Sequence, residues 1–121
     1  MKLILGSASP RRLEILQQAH IVPDKITPAN IDETPKAREL PLHYCERIAL
    51  EKANAISINK NEIILTADTT VAIGRRIMGE PHNSEEAIKF LKLLSGRRHK
   101  VITSIVVRNV QDMRKRSVTT D

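Results

Sequence analysis

Leu3-Ile4-Leu5-Gly6-Ser7-Ala8-Ser9-Pro10-Arg11-Arg12 is the stretch whose reading decides the fold. An apolar run passes into a turn of small residues, and the turn into the helical pattern of Leu13, Ile15, Leu16 and Ala19. Strand, small-residue turn and helix form a unit of α/β architecture. Such a unit surrounds its turn with backbone N–H groups and the positive end of a helix dipole. Arg11 and Arg12 add fixed charge and forked donors suited to phosphate. The segment is neither a P-loop nor a GxGxxG dinucleotide turn. Pro10 fits the first turn of any helix, and Ser9 fits any N-cap. Taken alone, the stretch therefore has two readings: a phosphate-binding loop, or a capped helix whose arginines are solvated.

Working outward, Leu3–Gly6 reads as a buried strand and Pro10–Ala19 as a helix. Ile21–Ala29 holds a short extended segment broken by Pro23 and Pro28, and Asn30–Pro41 reads as a Pro-containing polar loop. Leu42–Ile58 is the clearest amphipathic helix, with Cys45, Ile48, Ala49 and Ile56 along one side. Glu62–Thr66 is a second buried strand, expected to end just before Asp68. Val71–Ile73 and Arg76–Met78 flank Gly74-Arg75 as a small hairpin. Asn83 or Ser84 caps a helix running to Leu94, with Gly96 beyond its end. Lys100–Val107 is strongly β-like, and a basic segment, Arg108–Arg116, then leads to a strand that begins at Ser117. This order predicts an α/β fold with a mixed sheet and flanking helices.

Composition narrows the function. The 121 residues, 40% hydrophobic and 28% charged, suit one soluble domain. One Tyr, one Phe and no Trp leave little for a base-stacking platform. The net charge of +6 is concentrated late: seven Lys/Arg against two Asp over 97–121, and thirteen against twelve over 1–96. That stripe reads as a solvated edge or a face attracting anionic substrate, and direct nucleic-acid binding is not expected. Cys45, the single cysteine, excludes an intrachain disulfide and a cysteine zinc cluster, and reads as core. Met1-Lys2 leads straight into a short strand-like run, and no stretch has the length of a transmembrane helix. A cytoplasmic protein with no membrane partner is expected.

Four side chains beyond the arginines could carry chemistry. Asp68, expected just past a buried strand, stands where α/β sheets place ligands. A carboxylate there binds Mg²⁺ or activates water, or else simply turns the chain. Lys52 follows Cys45 by seven positions and Ile48 by four, which puts it along the apolar stripe. A lysine directed inward needs a carboxylate or phosphate, whereas one at the stripe's edge reaches solvent. Asp32 and Glu33 form an acidic pair in the loop, able to complete a cation site with Asp68 or to remain solvated. The four histidines show no metal-type spacing. Two arginines, an inward lysine and carboxylates suit metal-assisted attack of water on a phosphoanhydride.

Five motifs then stand in one order: Ser7-Ala8-Ser9-Pro10-Arg11-Arg12, Asp32-Glu33-Thr34, Ala49-x-x-Lys52-Ala53, Ala67-Asp68-Thr69, and Leu94-Ser95-Gly96-Arg97-x-His99-x-Val101-x-Thr103. In this the chain resembles Maf proteins, nucleoside triphosphate pyrophosphatases that release pyrophosphate and leave the monophosphate. The resemblance implies a mixed α/β sheet in two lobes around a nucleotide cleft, often as a homodimer. It implies that Asp68 accepts the proton of the attacking water. It further implies that Ser9, Arg11 and Lys52 hold phosphates, and that Glu33 with Asp68 holds a divalent metal, Mg²⁺ or Mn²⁺. Arg12 and Thr69 make the chain look like the dTTP/UTP type; members directed at 7-methyl-GTP carry Trp and Glu in those regions.

Two departures belong to the same comparison. Glu80-Pro81 stands where the family usually has Lys-Pro. Further strands, a helix and a Gln-containing segment are expected beyond Asp121, so 1–121 is expected to be a single domain lacking roughly its C-terminal third. The other function these features allow is a non-catalytic nucleotide-binding regulator of septum formation, a role also attached to Maf proteins.

Overall fold

The computed structural model describes residues 1–7, 9–78, 83–95 and 99–120. Six strands form one mixed sheet, as expected. They are β1 (Lys2–Leu5), β2 (Lys25–Ile26), β3 (Glu62–Ile73), β4 (Arg76–Met78), β5 (Lys100–Arg108) and β6 (Met113–Thr120). Their order is β2-β1-β3-β5-β6, with β4 paired to β3 off that path. β1 runs parallel to β2 and β3, while β3–β4, β3–β5 and β5–β6 are antiparallel. The helices are α1 (Pro10–Gln18), α2 (Pro41–Ala55) and α3 (Ser84–Leu94).

β3 is the axis of the sheet and differs from expectation. Glu62–Ile73 is one continuous strand, so Asp68 lies in its middle rather than beyond its end. Thr66, Thr69, Thr70 and Val71 are β-branched and keep the chain extended through the polar stretch. Alternation then sorts the side chains, with Ile64, Thr66, Asp68 and Thr70 buried on one face. β5 pairs with β3 from Ile64 to Ala72 along one edge. On the other edge β1 pairs only as far as Leu65, and β4 takes over at Val71. Among the described residues, 66–70 therefore have no strand partner on that edge, and the gap lets Asp68 face a cavity.

α2 begins with Pro41 in its first turn and packs Cys45, Ile48, Ala49 and Ala53 inward. It stops at Ala55, three residues before the Ile58 expected. Ile56 turns extended, and its side chain joins Ile4 and Ile64 in a core cluster. The Nη2 of Arg108 donates to the carbonyls of Ala53 (2.9 Å) and Ile56 (2.8 Å), satisfying acceptors that the helix end leaves open. A second cluster joins Ala49 and Ala53 to Val106 of β5.

β6 also differs, since it begins at Met113 and not at Ser117. Arg114, Lys115 and Arg116 are strand residues, exposed at the outer edge of the sheet. The Asn83 cap is as expected, its side chain accepting from the Glu86 N–H (2.9 Å). Glu80-Pro81, Gly96 and Arg97 lie outside the described residues. No helix among the described residues is long and apolar enough to cross a membrane.

Candidate active site

The cavity opens from the Gly6–Arg12 turn. β1 delivers Gly6 against β3, where its N–H donates to the Leu65 carbonyl (2.9 Å). A Cβ on Gly6 would lie 2.7 Å from Thr66 Cγ2 and 2.9 Å from Ile56 Cδ1, so this close approach needs glycine. Ser7 comes next and is buried; its Oγ accepts from the Ser9 N–H (3.2 Å) and from Arg12 Nη1 (3.1 Å). The hydroxyl thus ties the turn to the second arginine. Ser9 occupies the N-cap position of α1 but makes no side-chain capping bond.

The resulting cavity measures about 820 Å³, within the range of small-molecule sites. Ser9, Arg11 and Arg12 from the α1 turn line it together with Glu33, Lys52 and Asp68. Ala67, Thr69, Thr103 and Ile105, from adjoining β3 and β5, form its floor. The structure thus brings together all the site residues expected from the sequence: Ser9, Arg11, Arg12, Glu33, Lys52, Asp68 and Thr69. Asp32 is the exception among the candidate carboxylates. It does not line the cavity, and its Oδ1 accepts from the Thr34 N–H (3.0 Å), a local turn that holds its pKa below the ordinary carboxylate value.

At the centre, Lys52 Nζ lies 3.5 Å from Asp68 Oδ1 and 3.5 Å from Glu33 Oε1. The lysine is directed inward, as its place on the α2 stripe requires, with its side chain 14% exposed. Its charge holds two carboxylates from distant parts of the chain close together. The other Asp68 oxygen, Oδ2, accepts from Thr70 Oγ1 (2.9 Å). From α2 on the same face, Cys45 Sγ lies 3.3 Å from the Asp68 carbonyl and 3.4 Å from that of Ile102. Burial pushes the Cys45 thiol up, against hydrogen bonds with Ser104 and Thr70, consistent with a core residue rather than a nucleophile.

Glu33 owes its place to contacts that motif spacing does not reveal. Tyr44 donates to the Glu33 carbonyl (2.6 Å), and Arg47 Nη2 donates to the Thr34 carbonyl (3.2 Å). Arg47 also forms a two-pronged pair with Glu39, Nε to Oε2 at 2.6 Å and Nη2 to Oε1 at 2.8 Å. Hydrogen bonds from Arg47 lower the Glu39 carboxyl to about 2, and the same pairing pushes the guanidinium up. Burial pushes the Tyr44 hydroxyl up to about 12, with Asp68 and Glu33 adding to the effect. Tyr44 and Arg47 stand one α-helical turn apart or less on α2, next to an acidic Pro-containing loop. That was the available sequence signal.

The Maf-like protein family model matches residues 2–121. The dTTP/UTP pyrophosphatase of Ruegeria sp. (strain TM1040) is 56% identical over 108 residues, which are 89% of this chain and 56% of that protein. The dTTP/UTP pyrophosphatase of Roseobacter denitrificans is 59% identical over 105 residues, 87% of this chain and 56% of that protein. The chain thus spans a little over half the length of these curated relatives. Among solved structures, the Staphylococcus aureus Ham1 protein matches with TM-score 0.59 at 15% identity, over 99% of this chain and 70% of that one. The nucleoside-triphosphatase / dITP/XTP pyrophosphatase of Mycobacterium abscessus matches with TM-score 0.56 at 14% identity, over 99% and 71%. At such identities these two structures speak for the fold alone.

Proposed function

The chain belongs to the family of Maf-like proteins, and on that premise we propose that its cavity binds and hydrolyses nucleoside triphosphates, dTTP and UTP above all. The products are the nucleoside monophosphate and pyrophosphate. The observation that carries this reading is Lys52, placed 3.5 Å from both Asp68 and Glu33 in a cavity also lined by Ser9, Arg11 and Arg12. Two arginines and a lysine flanked by two carboxylates in one cavity suit a triphosphate and the water that attacks it.

In this reading the start of α1 receives phosphate oxygens through backbone N–H groups and Arg11. Lys52 meets further phosphate charge, which releases the carboxylates it holds when the cavity is empty of anions. Asp68 accepts the proton of a water whose oxygen bonds to phosphorus as the α–β anhydride breaks, and pyrophosphate departs. Arg12 and Thr69 bear on the choice of nucleotide, as in the dTTP/UTP type that the motifs resemble.

Asp68 and Glu33 would hold a divalent metal. Two carboxylate side chains, with waters and phosphate oxygens completing the shell, are what magnesium takes. Among the described residues no group of three or more His, Cys, Asp or Glu offers a closed protein cage. When bound, the cation neutralises phosphate charge and makes water a better nucleophile.

The test is pyrophosphate release by the purified chain from dTTP, UTP and 7-methyl-GTP with Mg²⁺. Release from dTTP and UTP that vanishes in Asp68→Asn is expected. Tight dTTP binding without release would instead support a nucleotide-binding regulator.

A further inference from the structure

Asp68 is useful as a base only if its carboxylate plane is fixed, because the attacking water must meet a lone pair in one direction. An aspartate in a strand is not fixed by its backbone, since rotation about its last torsion is broad. The two carboxylate oxygens of Asp68 have different partners. Oδ1 faces Lys52 at 3.5 Å, a long contact to a flexible ammonium that phosphate can draw away. Oδ2 accepts from Thr70 Oγ1 at 2.9 Å, a well-formed hydrogen bond within the interior.

From this we infer that Thr70 is the positioning residue of the site, the side chain that sets the orientation of the Asp68 carboxylate. The inference rests on Asp68 being the base in the function proposed above. Thr70 follows Asp68 by two positions in β3, so both side chains stand on the same face of the strand. The residue is 3% exposed, so water competes little, and of its two neighbours the ionised Asp68 Oδ2 is a far stronger acceptor than the Cys45 sulfur and takes the hydroxyl's single proton. Its β-branched shape restricts its own χ1, so the donor is held before substrate arrives. Thr66, the neighbouring inward threonine, is used differently. Its hydroxyl donates to the Ala49 carbonyl (2.8 Å) and joins β3 to α2. When substrate draws Lys52 toward phosphate, the Thr70 bond remains, and one lone pair of Asp68 stays aimed at the cavity.

Wild-type, T70V and T70S chains, crystallised and assayed with dTTP and Mg²⁺, test this. Valine keeps the shape and the strand preference while removing the donor; serine keeps the donor. In T70V the Asp68 carboxylate is expected to rotate away from its wild-type orientation. Its kcat is expected to fall about 10- to 100-fold with KM unchanged within about twofold. T70S is expected to recover the orientation and most of kcat. An unmoved Asp68 in T70V, an unchanged kcat, or equal losses in T70V and T70S would overturn the inference. A wild-type chain that releases no pyrophosphate would count against the proposed function. The orientation of Asp68 in the three crystal structures would then still decide the role of Thr70.

Discussion

Asp68 and Gly6 are the residues on which most depends, for opposite reasons. In the proposed function Asp68 carries chemistry and little packing, so Asp68→Asn should leave the melting temperature within a few degrees. It should lower pyrophosphate release by about 10²–10⁴-fold, the usual weight of a general base. Gly6 carries packing and no chemistry. Gly6→Ala would press a methyl group against Thr66 and Ile56, and should cost about 1–3 kcal/mol in urea unfolding. Because Ser7 follows directly, the same change should weaken dTTP binding. The sequence made Asp68, Lys52, Arg11 and Arg12 legible because charge beside an apolar pattern stands out. Gly6 and Thr70 were not legible as specific contacts. A glycine in a turn and a threonine in a strand are ordinary, and only the three-dimensional approach of β1 to β3 and the shared face of β3 give them work.

Among the elements, α2 does the most to assemble the site. Its inner stripe seats it on β3 and β5, its last turn supplies Lys52, and Tyr44 and Arg47 hold the loop that carries Glu33. Arg47→Ala should therefore reduce activity while leaving the Ile64-centred core intact, read as lost kcat/KM with a small loss of stability. The Glu39–Arg47 pair makes a pH-dependent contribution whose sign is fixed. Hydrogen bonds from Arg47 lower the folded Glu39 carboxyl to about 2, from its ordinary 4.5. The pair thus stabilises the fold fully above about pH 4.5, and the contribution fades as pH falls toward about 2. Glu39→Gln should lower the melting temperature near neutral pH, and the difference from wild type should close on acidification. A difference constant with pH would contradict this account. Element boundaries were less legible than element types. Glu62–Thr66 looked complete because its apolar run ended, although Thr69, Thr70 and Val71 continue the strand. Leu42–Ile58 looked longer than α2 because Ile56 fits both a helical stripe and the Ile4–Ile64 cluster, and the cluster takes it. The charges of 114–116 concealed the start of β6, since an exposed edge strand need not alternate.

For the molecule as a whole, one sheet with a break in one edge accounts for the site. α2 covers the face carrying Ile64, Thr66, Asp68 and Thr70. The opposite face carries Ala67, Thr69 and Thr103 as cavity floor and continues to Ile105 and Val107, which are 41% and 40% exposed. Among the described residues β1 leaves β3 after Leu65 and β4 joins only at Val71, and the cavity there is lined both by Asp68 and by residues of the α1 turn. The mixed sheet was readable from the order of apolar segments and turns. The break was not, because it depends on how far β1 and β4 reach along a neighbour distant in sequence. A crystal structure of the Asp68→Asn chain with dTTP and Mg²⁺ tests whether this break is a triphosphate site. The triphosphate is expected between the Ser9–Arg11 turn and Lys52, with Lys52 drawn from residue 68 toward phosphate and the base over Thr69 and Thr103. A triphosphate bound elsewhere, with Lys52 still beside Glu33, would contradict it.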